Sequence, residues 1–147
     1  MKFKTLMLAA VAIAYATGAA AHTTISPRLS LAGVVEKYTI RVPTEGQVMT
    51  TSAELDVPDG VAIMNIATPS GWTYDLKRKD GRIVGIAFRM NIKAGEFAEF
   101  SFTARNPTDK DQVTWGLRQL FADGKVTDFT HGPEGIYPTA VVKFSKP

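Results

Sequence analysis

Cysteine is absent from the 147-residue sequence, and histidine occurs only twice, at His22 and His131. Without cysteine the chain has no disulfide framework, no thiolate metal site and no cysteine nucleophile. Two histidines are too few for a zinc site built from three or more, and a Ser-His-Asp triad would need one of them. No Ser/His/Asp arrangement with a supporting motif is visible, so a hydrolase is the least favoured class.

The sequence also lacks an apolar run of the ~20 residues that a membrane-spanning helix needs. Its N-terminal run, Leu6–Ala14, is much shorter; two lysines precede it and an Ala-Ala-Ala exit follows it. A charged start, a short apolar stretch and an Ala-x-Ala exit are typical of a secretory signal peptide. We therefore expect residues 1–21 to be removed, and a periplasmic or secreted domain of residues 22–147 without a membrane anchor.

A strong excess of either charge is missing from the expected mature domain. It carries 15 Lys and Arg against 14 Asp and Glu, a formal net charge of +1. The basic cluster Lys77–Lys79 is followed by Asp80-Gly81, which is typical of a solvated hairpin tip. Nucleic acid is therefore not an expected partner, and the chain is long enough to be stabilised by a hydrophobic core.

Apolar and polar residues alternate along most of the mature chain, which is the period of a β-strand. Turns rich in proline and glycine separate the alternating segments, and no helical period or internal repeat is evident. Short strands at this spacing predict an all-β fold, an antiparallel β-sandwich with Ig-like or Greek-key connections. The predicted strands are Val34–Val42, Met49–Val57, Val61–Ala67, Trp72–Leu76, Ile83–Ile92, Phe100–Ala104, Val113–Gln119, Val126–Thr130 and Thr139–Phe144.

Aromatic residues are predicted to fill the core of this sandwich, because no disulfide is available to join its sheets. A core position is a simpler interpretation of their spacing than stacking on a cofactor. The predicted core aromatics are Trp72, Phe88, Phe100, Phe102 and Trp115.

His22 becomes the first residue if the signal peptide is removed after Ala21. An N-terminal histidine offers an α-amine and an imidazole, and both nitrogens of one residue can close a chelate ring on one metal ion. A metal displaces both protons near neutral pH, and nitrogen ligands favour Cu(II) among divalent ions. The alternative is that cleavage happens to expose a surface histidine.

Glu36 is the second unusual residue, because its strand parity places it with Tyr38, Ile40 and Val42 on the predicted core face. A carboxylate on that face is costly unless it is hydrogen-bonded, paired or bound to a cation. Glu36 is therefore either at the wet rim of the sandwich or the oxygen ligand that completes a site with His22.

A turn-rich segment from Ala122 to Tyr137 brings Phe129 and His131 together in sequence. His131 is either a solvated loop residue or a second imidazole ligand, as in the two-histidine brace of copper oxygenases.

Several motifs in order resemble the YcnI-like copper-binding family of secreted bacterial proteins. They are AHTTISP, EKYTIRVPTE, VPDGV, GWTYDLKRKDGRI, GEFAEFSFTARNP and ADGKVTDFTHGPEG. The resemblance runs from His22 to about Phe144, which is essentially the whole mature chain.

The resemblance implies an Ig-like β-sandwich that holds Cu(II) in a mono-histidine brace. In the matching motifs, the family's histidine falls on His22 and its carboxylate ligand falls on Glu36. Phe129 takes the place of a tryptophan that the family usually has near the metal, so a tryptophan-specific role is in doubt unless Trp115 lies close enough. With His131, these two aromatic residues form the expected surroundings of the metal.

The hypothesis favoured by these observations is a non-enzymatic periplasmic copper-binding protein. It would sequester Cu(II) or pass it to a membrane copper transporter or another periplasmic copper carrier. One alternative is an oxidative copper enzyme, against which the lack of an assured second histidine ligand counts. The other alternative is a non-metal adhesion or assembly module that uses an exposed sheet edge.

Overall fold

The computed structural model describes residues 22–68, 71–130 and 140–147, and these residues form an antiparallel β-sandwich. The first strands along the chain are β1 (Thr24–Ser26), β2 (Leu29–Leu31), β3 (Val35–Pro43), β4 (Thr50–Asp56), β5 (Ala62–Ile66) and β6 (Thr73–Lys79). The strands that follow are β7 (Arg82–Ile92), β8 (Phe97–Arg105), β9 (Gln112–Thr114), β10 (Gly116–Phe121), β11 (Val126–Asp128) and β12 (Val141–Ser145).

Two larger sheets and one small sheet are present in the described part of the chain. The first sheet has the order β1-β3-β8-β5, and the second has the order β11-β10-β4-β7-β6. The small sheet, β2-β12-β9, contains a parallel pair between β2 and β12. Strands distant in sequence are neighbours, as β3 and β8 are, which is the long-range pairing of a Greek-key sandwich. The predicted fold class is confirmed.

The hydrophobic core lies between the inward faces of the two larger sheets. Phe88, Phe100, Phe102 and Trp115 are buried as predicted. Trp72 is half-buried and packs edge-on against Phe88 and Phe100, with centroid distances of 5.3 and 4.9 Å. The aromatic prediction is thus confirmed for four residues, whereas Trp72 lies at the margin of the core.

The strand prediction is accurate where a segment is long enough to show a period. The Asp80-Gly81 hairpin is also confirmed, since both residues have positive φ, +50° and +77°, as a tight turn between β6 and β7 requires. Strands β1 and β2 were not predicted, because three residues are too few to establish an alternation. The predicted strand Val113–Gln119 is two strands, β9 and β10, which belong to different sheets.

Strand β3 organises the part of the fold that matters for the candidate site. It pairs with β8 along its whole length and with β1 near its C-terminal end. The β1 pairing matches Thr24 with Arg41 and Ser26 with Thr39. The chain therefore runs out along β1 and returns along β3, so the beginning of β1 lies beside the end of β3. The described residues include no helix that is long and apolar enough to cross a membrane.

Candidate metal centre

His22 lies two residues before β1, at an edge of the sandwich. Continuing the β1–β3 register by two residues from the Thr24–Arg41 pair places His22 opposite Pro43, the last residue of β3. Its ring is half-buried and lies 5.6 Å from the ring of Phe129, centroid to centroid. Within the described part of the chain the His22 imidazole makes no hydrogen bond, so neither ring nitrogen is committed to such a partner there.

Phe129 reaches His22 because the segment after β11 continues to pair with β10. The Phe129 backbone N–H donates to the Leu117 carbonyl at 2.7 Å. The Leu117 N–H in turn donates to the Thr130 hydroxyl at 2.9 Å. The structure therefore brings together His22 and Phe129, two of the residues singled out from the sequence, and Phe129 forms an apolar wall beside the imidazole.

A buried polar cluster anchors the chain directly after His22. Gln119 is 2% exposed and its side-chain amide makes three hydrogen bonds. Its oxygen accepts from the Thr23 hydroxyl at 2.8 Å, and its nitrogen donates to the Pro43 carbonyl at 2.8 Å and to the Thr50 hydroxyl at 2.6 Å. One amide thus ties the start of β1 to the end of β3. Because Thr23 is fully buried and held, the freedom of His22 is restricted.

The same cluster continues to the residue that follows β3. The hydroxyls of Thr44 and Thr50 lie 2.7 Å apart, and the Thr44 hydroxyl also donates to the Ile92 carbonyl at 2.9 Å. The Thr44 backbone is paired to the segment before β8 through the Glu96 carbonyl and the Gly95 N–H. These bonds fix the backbone at the point where the chain leaves β3 on its way to Glu45.

A cleft of about 430 Å³ opens beside His22 on the outer surface of the first sheet. Thr24, Arg41, Pro43 and Phe97 line it together with His22. The residue pattern follows from the register, because alternate residues of β1 and β3 point outward while Thr23 and Ile25 point into the core.

The expectation that Glu36 and His22 share one site is not supported by the register. Glu36 is the second residue of β3, whereas His22 lies opposite the last residue of that strand. Pro43 is seven residue steps beyond Glu36 along the extended strand, about 24 Å at about 3.4 Å per residue. In an antiparallel pair the strand that returns beside β1 ends near the start of β1, so the first residues of β3 lie at the opposite end.

Glu36 lies in a second polar cluster at the other end of β3. Its carboxylate accepts from the Ser30 hydroxyl at 2.7 Å and from the Lys37 N–H at 3.0 Å. Asn106, 2% exposed, donates to the Ser30 hydroxyl at 3.0 Å and to the Leu31 carbonyl at 2.8 Å, and accepts from the Tyr38 hydroxyl at 2.6 Å. The half-buried carboxylate is therefore stabilised by hydrogen bonds from its own chain.

Tyr38 links this second cluster to the core. Burial, with a smaller contribution from the negative charge of Glu36, raises the pKa of Tyr38 from 10.0 to about 12. The phenol is therefore neutral at physiological pH and acts as a hydrogen-bond donor to Asn106.

Trp115 does not lie beside His22, which corrects the expectation that it could replace the missing tryptophan. It is fully buried and packs against Tyr38 and Phe102, each at a centroid distance of 5.3 Å. Tyr38 is five residues along β3 from Pro43, so Trp115 belongs to the core. His131, the other expected neighbour of the metal, lies outside the described residues.

Glu45 is a carboxylate at the His22 end of β3 that the sequence interpretation did not single out. It follows the end of β3 by two residues, at the end where His22 lies, and its side chain is exposed. Two features of the sequence could have pointed to Glu45. Pro43 ends the long strand just before it, and the segment between His22 and that strand is short, so the end of the strand can lie beside His22. Among the described residues no group of three or more His, Cys, Asp or Glu is arranged to hold a metal. A site at this end therefore depends on few side chains.

The sequence profile of a domain of unknown function, DUF1775, matches residues 22–143. The chain belongs to the DUF1775 family. This DUF1775 protein is also 28% identical over 130 residues to the copper-binding protein CutI of Bacillus subtilis strain 168. The alignment covers 86% of the chain and 64% of that relative, so the chain spans less than two-thirds of the relative's length. These matches confirm the resemblance to the YcnI-like family.

A solved structure supports the fold of this DUF1775 protein. An uncharacterised protein from Nocardia farcinica with an immunoglobulin-like fold superposes with a TM-score of 0.71 at 22% identity, over 84% of this chain and 98% of that one. At this level of identity the solved structure shows the fold alone. The match to the copper-binding relative supports a function related to copper.

Proposed function

We propose that this protein is an exported copper-binding protein that holds Cu(II) at His22 once residues 1–21 have been removed. The observation that carries the proposal is the position of His22: it lies two residues before the first strand, packs against Phe129 and borders an open cleft. The copper-binding relative supports the choice of metal. The resemblance to exported proteins and the leader-like residues 1–21 support periplasmic or secreted localisation.

Cleavage before His22 converts a backbone amide into a primary amine. Amine and imidazole of the same residue then close a chelate ring, which is the mono-histidine brace. Two nitrogen donors and a carboxylate suit Cu(II), whose affinity for such ligands exceeds that of the other common divalent ions. Three donors leave coordination positions open, and an open site favours exchange of the ion. We infer a role in copper homeostasis or delivery, with a membrane transporter or another periplasmic carrier as the recipient.

We assign the carboxylate donor to Glu45 in place of Glu36. The register favours Glu45, because it lies two residues beyond the strand end that faces His22. Glu36 already receives two hydrogen bonds at the opposite end of that strand, and moving it to His22 would require breaking the β3–β8 pairing. The aromatic wall of the site is Phe129, which lacks the indole N–H of a tryptophan.

The first experiment compares two forms of the protein that differ only at the N-terminus. One begins at His22, and the other retains Ala21 in front of it. We expect the form beginning at His22 to bind one Cu(II) per chain, and the extended form to bind at least about 100-fold more weakly, since a ligand is lost rather than an outer-shell partner. Isothermal titration against a competing chelator measures both affinities. Equal affinities would refute the brace.

A further inference from the structure

We propose that the cleft beside His22 binds a small carboxylate anion, which coordinates the bound copper with one oxygen and pairs with Arg41 through the other. This inference rests on the proposed function, because the copper ion supplies half of the anion's binding site. It adds a specificity element, Arg41, and a ligand class, free carboxylates of low molecular mass.

The strand register brings Arg41 close to His22. Arg41 is the cross-strand partner of Thr24, and His22 is two residues before Thr24 on the same outward face. Diagonal neighbours of this kind are about 7–8 Å apart across an antiparallel pair, within reach of an arginine side chain. Both residues line the same cleft, whose volume of about 430 Å³ suits a small molecule.

The Arg41 guanidinium is held in place without using its hydrogen-bond donors. Its central carbon lies 4.2 Å from the centroid of the Phe97 ring, which orients the guanidinium over that ring. Its Nε atom lies 3.8 Å from Glu99, close enough for an ion pair but too far for a hydrogen bond. Among the described residues the guanidinium donates no hydrogen bond. A fixed planar fork with unused N–H groups donates charge-assisted hydrogen bonds to the carboxylate oxygen that the copper leaves free.

Copper makes this cleft attractive to an anion. In the metal-free protein the charge of Arg41 is offset by Glu99, and its side chain is 55% exposed, so an anion gains little there. A Cu(II) ion balanced by a single carboxylate ligand adds one net positive charge beside Arg41. The metal ion also offers an open coordination position. We therefore expect carboxylate binding to require copper, and by thermodynamic reciprocity the carboxylate raises the copper affinity by the same factor.

Acetate is the probe, because it carries one carboxylate group and no second functional group with which to chelate copper. The protein beginning at His22 is first loaded with Cu(II) in acetate-free buffer and then titrated with acetate at constant ionic strength, with nitrate as the control anion. The visible absorption and the electron paramagnetic resonance spectrum of Cu(II) report binding. We expect a saturable spectral change with acetate. In R41Q its dissociation constant rises about tenfold, as expected for a charge-assisted pair in a partly exposed cleft.

Arg89 provides a matched control. Its side chain is 56% exposed and pairs with Asp75 at 2.7 Å, and it lies on β7 in the other large sheet. R89Q removes the same charge and is expected to leave the acetate affinity unchanged. R41K keeps the charge but loses the planar fork, so it is expected to lie between R41Q and the unsubstituted protein.

Three results would overturn the inference. Acetate could leave the Cu(II) spectra unchanged, R41Q could bind acetate as well as the unsubstituted protein, or R89Q could weaken acetate binding as much as R41Q does. In each case copper binding in acetate-free buffer would be intact, and the proposed function would stand. Failure of copper binding in acetate-free buffer would instead refute the proposed function and this inference with it.

Discussion

Each end of β3 is stabilised by a buried polar cluster, but the two clusters differ in whether the nearby ionisable side chain belongs to them. At each end a buried amide makes three hydrogen bonds, Gln119 near His22 and Asn106 near Glu36. At the Glu36 end the ionisable group is itself part of the network. At the His22 end the network stops at Thr23, and the imidazole projects past it towards Phe129 and the cleft.

This difference shows how to interpret a polar residue on a core face. An inward carboxylate such as Glu36 needs compensation for its burial, and neighbouring hydroxyl and N–H groups supply it. The His22 imidazole is different: the network fixes the neighbouring Thr23 but makes no hydrogen bond to the imidazole within the described residues. Such a group is a better candidate for a metal ligand. Two pairs of substitutions and one single variant test this contrast between the two ends of β3.

The largest effect is expected from replacing the two buried amides. Q119L and N106L should each lower the free energy of unfolding by about 2–3 kcal/mol, because each leaves buried partners without a hydrogen bond. Only Q119L is expected to weaken Cu(II) binding as well, by about tenfold, since it releases Thr23 beside the metal ligand. Urea unfolding and copper titration of the protein beginning at His22 measure the two effects.

The two amide variants also provide a check on each other. If N106L weakened copper binding as much as Q119L, the ends of β3 would not be independent. Should Q119L fail to fold, T23V offers a milder test, because it removes only the bond from Thr23 to Gln119.

The next effect is expected from the two carboxylates. E45Q should weaken Cu(II) binding by at least about tenfold, since loss of a ligand costs no less than loss of an outer-shell partner. E36Q makes the same chemical change at the other end of β3 and should leave the copper affinity unchanged. Competition with a chelator of known affinity measures both. The reverse order would restore Glu36 as the ligand.

The smallest effect at neutral pH concerns Tyr38 at the Glu36 end. Because its pKa is raised to about 12 in the folded protein, the neutral phenol stabilises the fold below pH 10, and this stabilisation is lost as the pH rises from 10 to 12. The loss is on the order of 2 kcal/mol over that range. Y38F should lack this part of the pH dependence and cost about 1 kcal/mol at neutral pH through the lost bond to Asn106. Urea unfolding at several pH values compares the two proteins; parallel pH profiles would contradict the assignment.

The sequence predicted those features that depend on local alternation. Strand positions and the burial of Phe88, Phe100 and Phe102 follow from a period of two, and the Asp80-Gly81 turn follows from backbone preferences. His22 was recognisable because the expected cleavage site precedes it.

Pairing register was not predictable in the same way, because it depends on which distant strands meet. The expectation that Glu36 lies beside His22 failed for this reason: parity identifies a face but not which end of the strand lies beside β1. Arg41 was equally hidden, since an outward arginine in a strand looks like any solvated residue until Phe97 and His22 are placed around it.

Paramagnetic broadening of backbone amide signals by Cu(II) tests the central claim most directly, because it locates the metal along β3. With ¹⁵N-labelled protein beginning at His22, substoichiometric Cu(II) should broaden the signals of Thr24, Arg41 and Phe129. The signals of Ser30, Glu36 and Asn106 should remain sharp. Selective broadening around Glu36, with Thr24 and Arg41 unaffected, would place the copper at the wrong end of the sandwich and contradict the account.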